Sequence, residues 1–160
     1  SIEMIAEHEV RGILGRGPVD YDILLDLFHI CVAEAKKEKI EKGFFQNVAQ
    51  MVACRDQYVY DNKKRKRDEP GVDYIQDIPS AGIVSTGDGW ILLKYFYEDN
   101  VWKICRSKEM NIPMSEIDKP DVCISVLKLI MGRIVSLLTN QKDILLQFNK
   151  SKKSKTESSA

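Results

Sequence analysis

The chain is poor in the residues that usually announce a metal centre or a disulfide framework. Among 160 residues there are two histidines and four cysteines. The cysteines, Cys31, Cys54, Cys105 and Cys123, stand far apart with apolar neighbours, and none forms a Cys-x-x-Cys pair. Only His8 and His29 could add imidazole, so a zinc site is not expected, and a disulfide framework is not needed at this length. Buried, reduced thiols are expected instead, which suits a reducing compartment. Net charge is missing too: 24 basic residues balance 24 acidic ones. A nucleic-acid partner is therefore not announced globally, and any basic footprint must be local. No uninterrupted run approaches eighteen apolar residues, so no membrane span is expected. The chain opens at Ser1 without an initiator Met or a signal-peptide pattern and is read as a fragment.

What remains is ordinary globular composition, 44% apolar and 30% charged, in a length that suits one domain with one core. Residues 1–8 are read as the end of a helix continuing from upstream, and Glu9–Leu14 as a short strand. Gly15-Arg16-Gly17-Pro18 breaks regular structure. Two apolar runs of strand length follow, Val19–Leu25 and Phe28–Ala33, and their tight spacing predicts an antiparallel hairpin. From Ile40 to Tyr58, Phe44, Val48, Met51 and Val52 recur at helical steps, leaving Gln46, Asn47, Gln50 and Arg55 on other faces. Residues 61–79 read as a charged loop. Strands are expected at Gly82–Ser85, Trp90–Tyr97 and Val101–Arg106, with turns at Asp88-Gly89 and Glu98-Asp99-Asn100. The aromatic run Trp90, Tyr95, Phe96, Tyr97 and Trp102 reads as sheet packing rather than a base-stacking platform.

A closing helix starts near Pro120. Its stripe Val122, Val126, Ile130, Ile134 and Leu138 is read as core, with a homodimer seam as the alternative. Residues 149–160 lack the apolar content to pack and are expected to be disordered. The predicted architecture is α/β: a mixed β-sheet covered by helices, as one domain over residues 1–148.

Chemistry is concentrated in Asp20 and in Glu34-Ala35-Lys36, fourteen residues on. Alternation along a strand puts Glu34 and Lys36 on one face. An antiparallel hairpin can bring Asp20 beside Glu34 where the apolar run ends. Two carboxylates and an ammonium are what metal-assisted phosphodiester hydrolysis uses. The carboxylates offer hard oxygens to Mg²⁺ or Mn²⁺, the Ala35 carbonyl can add another, and Lys36 can orient water or offset charge at phosphorus. The competing reading is that Glu34, Lys36, Lys37 and Glu38 form a solvated strand-to-helix turn. Asp22, two residues after Asp20 and expected on the same strand face, is a rival ligand. His29, among Phe28, Ile30 and Cys31, reads as a packed or edge histidine.

Three segments carry a family resemblance: Gly15-Arg16-Gly17-Pro18-Val19-Asp20-Tyr21, Val32-Ala33-Glu34-Ala35-Lys36-Lys37-Glu38, and the helical Gly43–Met51. Together they resemble the PD-(D/E)xK, restriction-endonuclease-like nuclease domains of Crinkler-type effectors and related fungal proteins. Gly82–Thr86 with Trp90 is similar to a strand pair of that family. The resemblance implies a DNA-cleaving, Mg²⁺-dependent (or Mn²⁺-dependent) nuclease. Asp20 and Glu34 would be metal ligands, Lys36 the catalytic lysine, and Gln46 and Gln50 polar residues facing the site. The Gly-Pro-Val-Asp-Tyr context favours Asp20 over Asp22. Val19 stands where the family usually has Pro, and the upstream helix that often adds an acidic residue is truncated.

The cluster Lys63-Lys64-Arg65-Lys66-Arg67 falls where such proteins often carry a basic loop. It reads as a nuclear-import signal, a phosphate-contacting loop, or a solvated charge run. The first implies nuclear localisation, in a host nucleus for a secreted effector. Two further readings stand beside the enzyme: a weak or inactive nuclease-fold module that binds DNA or a partner, and a pure interaction scaffold.

Overall fold

Strand-forming residues dominate both ends of the chain's first half, and the fold follows from how they pair. The computed structural model describes residues 2–12, 16–25, 28–36, 40–65 and 78–157, with 58–65 and 148–157 described as backbone only. Strands β1 (Ile2–Arg11), β2 (Arg16–Leu25) and β3 (Phe28–Ala35) precede helix α1 (Ile40–Arg65). Then come β4 (Ser80–Ser85), β5 (Gly89–Glu98), β6 (Val101–Arg106) and β7 (Met110–Asn111). A 3-10 turn at Met114–Glu116 leads into helix α2 (Pro120–Glu157).

All seven strands share one mixed sheet in the order β1-β2-β3-β4-β5-β6, with β7 added to β5 beyond the end of β6. Every pairing is antiparallel except β3 with β4, the one joined through a helix. A parallel pair needs a crossover, and α1 supplies it. The β5–β6 hairpin turns on Asp99 and Asn100, at φ 53 and 62. Asp and Asn tolerate this left-handed pair, which matches the twist of the flanking strands.

Two apolar layers clamp the sheet. On one face Val32, Val84, Ile91 and Leu93 meet Met51 and Cys54 of α1. On the other, Cys31, Ala81, Ile83 and Leu92 meet Ile130 and Ile134 of α2, and Leu145 continues the contact to Leu25 and Ile30. The alternation 31/32, 83/84 and 92/93 between layers is the period-two signature of strands buried on both faces.

The structure corrects several expectations. Residues 2–11 are a strand, not a helix end: nine registered partners on β2 override the helical propensity of Glu, Met and Ala. Ile13 and Leu14 of the expected short strand lie outside the described residues. Helix α1 runs on to Arg65, so the expected loop loses its first turn, and residues 66–77 lie outside the described residues. Helix α2 continues to Glu157 through most of the expected disordered tail. Not every thiol is buried: Cys31 and Cys54 are, Cys105 is exposed and Cys123 half-buried. Cys105 sits in β6, most of whose residues are exposed.

Asn47 and Gln50 are not on a solvated face of α1. They lie in its buried stripe with Gly43, Met51 and Cys54. Helix α2 carries more apolar surface than the sheet covers: Ile124, Leu127, Met131 and Val135 are exposed. Its stretch Pro120–Gln147 is, by length and composition, apolar enough to cross a bilayer. Counting uninterrupted apolar runs misses this, because scattered charges interrupt the sequence without lowering its average much.

Candidate active site

The site forms where β3 runs out beneath the middle of α1. Glu34 is the next-to-last residue of β3 and 1% exposed. A buried carboxylate is costly unless each oxygen is engaged. Here Lys36 Nζ pairs with Oε1, and Gln50 Nε2 donates to Oε2 at 2.8 Å. Pleat alternation carries Glu34 and Lys36 to the same side, as their spacing predicts. Lys36 has just left the strand, and its N–H donates to Ser85 O at 2.7 Å, which fixes the turn toward α1. Its side chain remains about one quarter exposed, so the ion pair has one wet side.

Asp20 approaches from β2. Its Oδ2 accepts from the Ala35 amide at 2.7 Å, so Asp20 touches the residue between Glu34 and Lys36. Ala35 contributes this N–H to the arrangement. The carboxylate does the work a strand carbonyl would otherwise do, and the reason lies in β2 itself. Val19 and Asp22, three residues apart, are both fully buried, whereas strict alternation would place them on opposite faces. The irregularity lies between them. Across from Asp20 in the β1–β2 register, Glu7 adopts φ 52. Asp20 and Asp22 consequently serve different partners, which corrects the expectation that they share one strand face. Asp22 is fully buried and bonded to His8 and His29.

Gln50 ties the cluster together. Its Nε2 also donates to Pro18 O at 3.0 Å, joining β2, β3 and α1 at one amide. One turn earlier, Asn47 Nδ2 donates to Val32 O at 2.9 Å and Ile83 O at 3.4 Å. The space it occupies exists because residue 82 is glycine. A Cβ there would lie 2.0 Å from Asn47 Oδ1 and 2.8 Å from Met51 Sδ. Gly82 thus lets α1 settle close enough for Gln50 to reach Glu34.

Gln46 is exposed one turn before Gln50 and lines a groove with Val10, Arg16, Gly17, Pro18 and Gln50. Arg16 is a basic residue on the rim that the sequence patterns did not single out. The basic cluster reaches the structure only as helical backbone at Lys63, Lys64 and Arg65, while Lys66 and Arg67 lie outside the described residues. On the far side of α1, the Arg55 guanidinium lies 3.8 Å from the Trp102 ring centroid. Trp102 in turn stacks on Tyr95 at 4.5 Å.

Lys36, Glu34 and Gln50 are therefore joined by direct hydrogen bonds at a strand end, and Asp20 meets the same strand end through the Ala35 amide. The donor set contains two carboxylates, hard oxygens of the kind Mg²⁺ and Mn²⁺ accept. Glu34 already has an ammonium beside it, so its surroundings tolerate a cation in contact with the carboxylate. The residues fit a divalent ion. Comparison of the chain with protein-family models, curated proteins and solved structures finds no match.

Proposed function

We propose that this protein is a metal-dependent nuclease of the PD-(D/E)xK type, a restriction-endonuclease-like fold cutting DNA through Asp20, Glu34 and Lys36. The observation that carries the reading is Glu34: a fully buried carboxylate, at the end of a central strand, whose two oxygens are held by Lys36 and Gln50. Structural glutamates seldom occupy such positions, because apolar packing is cheaper than a buried ion pair. Open α/β sheets place their sites beyond strand carboxyl ends, and that is where this pair stands.

Each side chain then has a task. Asp20 and Glu34 hold a divalent cation, which when bound would polarise the phosphate and lower the pKa of water. Lys36 exchanges its contact with Glu34 Oε1 for the scissile phosphate or the attacking water. Gln50 keeps Glu34 Oε2 aimed while Lys36 moves. Arg16 and Gln46, beside Gln50 in the groove, contact the nucleic-acid backbone. The basic residues Lys63–Arg67 add sequence-independent affinity, which falls steeply with salt.

The test is incubation with supercoiled plasmid, with and without Mg²⁺ or Mn²⁺, beside Glu34→Ala and Gln50→Ala. Metal-dependent nicking by the wild type, abolished by Glu34→Ala and reduced by Gln50→Ala, is expected. DNA binding without cleavage at any metal concentration would instead support an inactive DNA-binding module. Absence of both cleavage and DNA binding would refute the nuclease reading.

A further inference from the structure

A second constellation lies on the same sheet and shares no residue with the first. Asp22 Oδ2 is 2.8 Å from His8 Nδ1 and 2.6 Å from His29 Nδ1. The two imidazoles lie nearly parallel, 12° apart with centroids 5.9 Å from each other. Asp22 is fully buried, and the His29 and His8 side chains are 9% and 29% exposed. The three potential ligand atoms lie within 4.8 Å of one another. Since the chain has only two histidines, both of them converge on one carboxylate.

The backbone departs from regularity twice to achieve this. In β1 the left-handed residue Glu7 stands between Ile5, the partner of Asp22, and His8. In the β2–β3 pair the register shifts, so that Ile23 faces Cys31 but Leu24 faces His29, leaving Ile30 as an extra residue. Without this left-handed residue and this bulge, His8 and His29 would each point away from Asp22. Bulges re-aim side chains and cluster near functional sites, and a left-handed non-glycine residue is strain that the surroundings must hold.

Asp22 is also left with an unmatched oxygen. Its Oδ1 is buried with no hydrogen-bond partner among the described residues. A buried polar atom without a partner is costly. A cation in contact with that carboxylate would offset the cost.

We infer that His8, Asp22 and His29 form a binding site for a borderline divalent transition metal, Zn²⁺ foremost, which pins the edge strand β1 to β3 through β2. Two imidazoles and one carboxylate suit Zn²⁺, Mn²⁺ or Fe²⁺ rather than Mg²⁺, which takes oxygen ligands. Bonds of about 2.0–2.2 Å need ligand atoms roughly 3.4 Å apart. The observed spacings, 2.6 and 2.8 Å to Asp22 and within 4.8 Å overall, reach that by side-chain shifts of about an ångström, with each Nδ1 giving up its proton. Three protein ligands leave a further coordination position, on the side of the half-exposed His8. This site neither requires nor supplies the carboxylates of the proposed nuclease centre.

The experiment uses the double variant Asp20→Ala/Glu34→Ala, so that the first site cannot contribute. Calorimetric titration with Zn²⁺, and visible absorption after Co²⁺ loading, should give one bound equivalent and the intense bands of a four- or five-coordinate nitrogen–oxygen site. Adding His8→Ala should weaken Zn²⁺ binding at least a hundredfold and remove the bands. His8 is partly exposed on an edge strand, so this variant should stay folded by circular dichroism. Zn²⁺ should also raise the melting temperature of the double variant by several degrees, and not that of the triple variant. Zn²⁺ binding unaltered by His8→Ala, or no Zn²⁺ binding by the double variant, overturns the assignment. Loss of plasmid cleavage alone would bear only on the nuclease centre.

Discussion

Replacing Lys36 by methionine should do two opposite things, and the pair of effects tests the ion pair directly. Methionine keeps the length of the stem and deletes the ammonium that pairs with Glu34 Oε1. Glu34 stays buried with Gln50 as its remaining partner. Stranding a buried charge typically costs about 3–5 kcal/mol. Lys36 is one quarter exposed, so water reaches one side of the pair and lowers that figure. The carboxyl can also escape by taking a proton, which at pH 7 costs an ordinary glutamate about 3.7 kcal/mol and caps the loss. We therefore expect Lys36→Met to lose about 2–3 kcal/mol in urea unfolding without metal. The same deletion removes the cation that competes with a divalent ion for Glu34. Mn²⁺ affinity should rise by roughly the same free energy, on the order of 30–100-fold. Saturating Mn²⁺ should return most of the lost stability while plasmid cleavage stays abolished. Calorimetry and urea titration on one preparation measure all three. A stability loss that Mn²⁺ does not reverse, or an unchanged Mn²⁺ affinity, would refute the idea that ammonium and metal share the carboxylate.

Other expectations follow from single contacts. Gly82→Ala should cost about 3–5 kcal/mol, from a Cβ forced against Asn47 and the loss of the Asn47 bonds to Val32 and Ile83; a loss below about 1 kcal/mol in chemical denaturation would mean that α1 does not rest on that strand. Cys105 should react at once with a thiol reagent in the folded protein, whereas Cys31 and Cys54 should react only on unfolding. Burial, reinforced by the Asp22 charge, pushes the Cys31 thiol up to about 12, and Cys54 is raised by the same causes. These folded-state values lie above the unfolded value of 9.0, so their contribution to stability is fully present below about pH 9 and is lost as pH rises toward 12; urea midpoints that stay flat between pH 8 and 10.5 would contradict this. Arg55→Ala should destabilise the α1–β6 contact by about 1–2 kcal/mol through the Trp102 ring, with red-shifted, more solvent-exposed tryptophan fluorescence as the readout.

The part of the fold that could be read from the sequence is the part set by local pattern. The hairpin Val19–Ala33, the helix from Ile40, the strand pair with its Asp99-Asn100 turn, and the Pro120 helix start all follow from periodicity and turn chemistry. The same holds for Glu34 and Lys36, whose shared side needs only the pleat. Long-range pairing was not readable. Residues 2–11 show Ile2 and Ile5 at a helical step among good helix formers, and only β2 makes them a strand. Periodicity alone sets Gln50 and Asn47 outside the apolar stripe, because a helical wheel cannot know that its buried face meets a carboxylate and strand carbonyls. A signal was available: Gly43, Asn47, Gln50, Met51 and Cys54 fall on one face, and polar residues inside an otherwise small or apolar stripe are a reason to ask what they bond.

The histidines show a deeper limit. Unpaired cysteines and two isolated imidazoles predict no zinc site, and strict alternation predicts Asp20 and Asp22 on one face. Both steps assume regular strands. His8 lies fourteen residues before Asp22, and His29 seven after, spacings with no metal-binding pattern in them. The trio exists only because one residue turns left-handed at Glu7 and one extra residue enters at Ile30. An irregularity of this kind reverses the face of what lies beyond it, so one residue moves a side chain by the full thickness of the sheet. Composition is blind to such a change, and so is periodicity, because the residues on either side of a bulge keep their own alternation. The two acidic residues of β2 illustrate the outcome. Both were candidates for one centre, yet Asp20 turns to the amide of Ala35 while Asp22 goes under α1 to the histidines. The irregularity that takes Asp22 away from Glu34 also frees Asp20 to reach across to β3. A single departure from alternation in β2 therefore sorts two neighbouring carboxylates into two chemically distinct sites, one of hard oxygens and one of mixed nitrogen and oxygen.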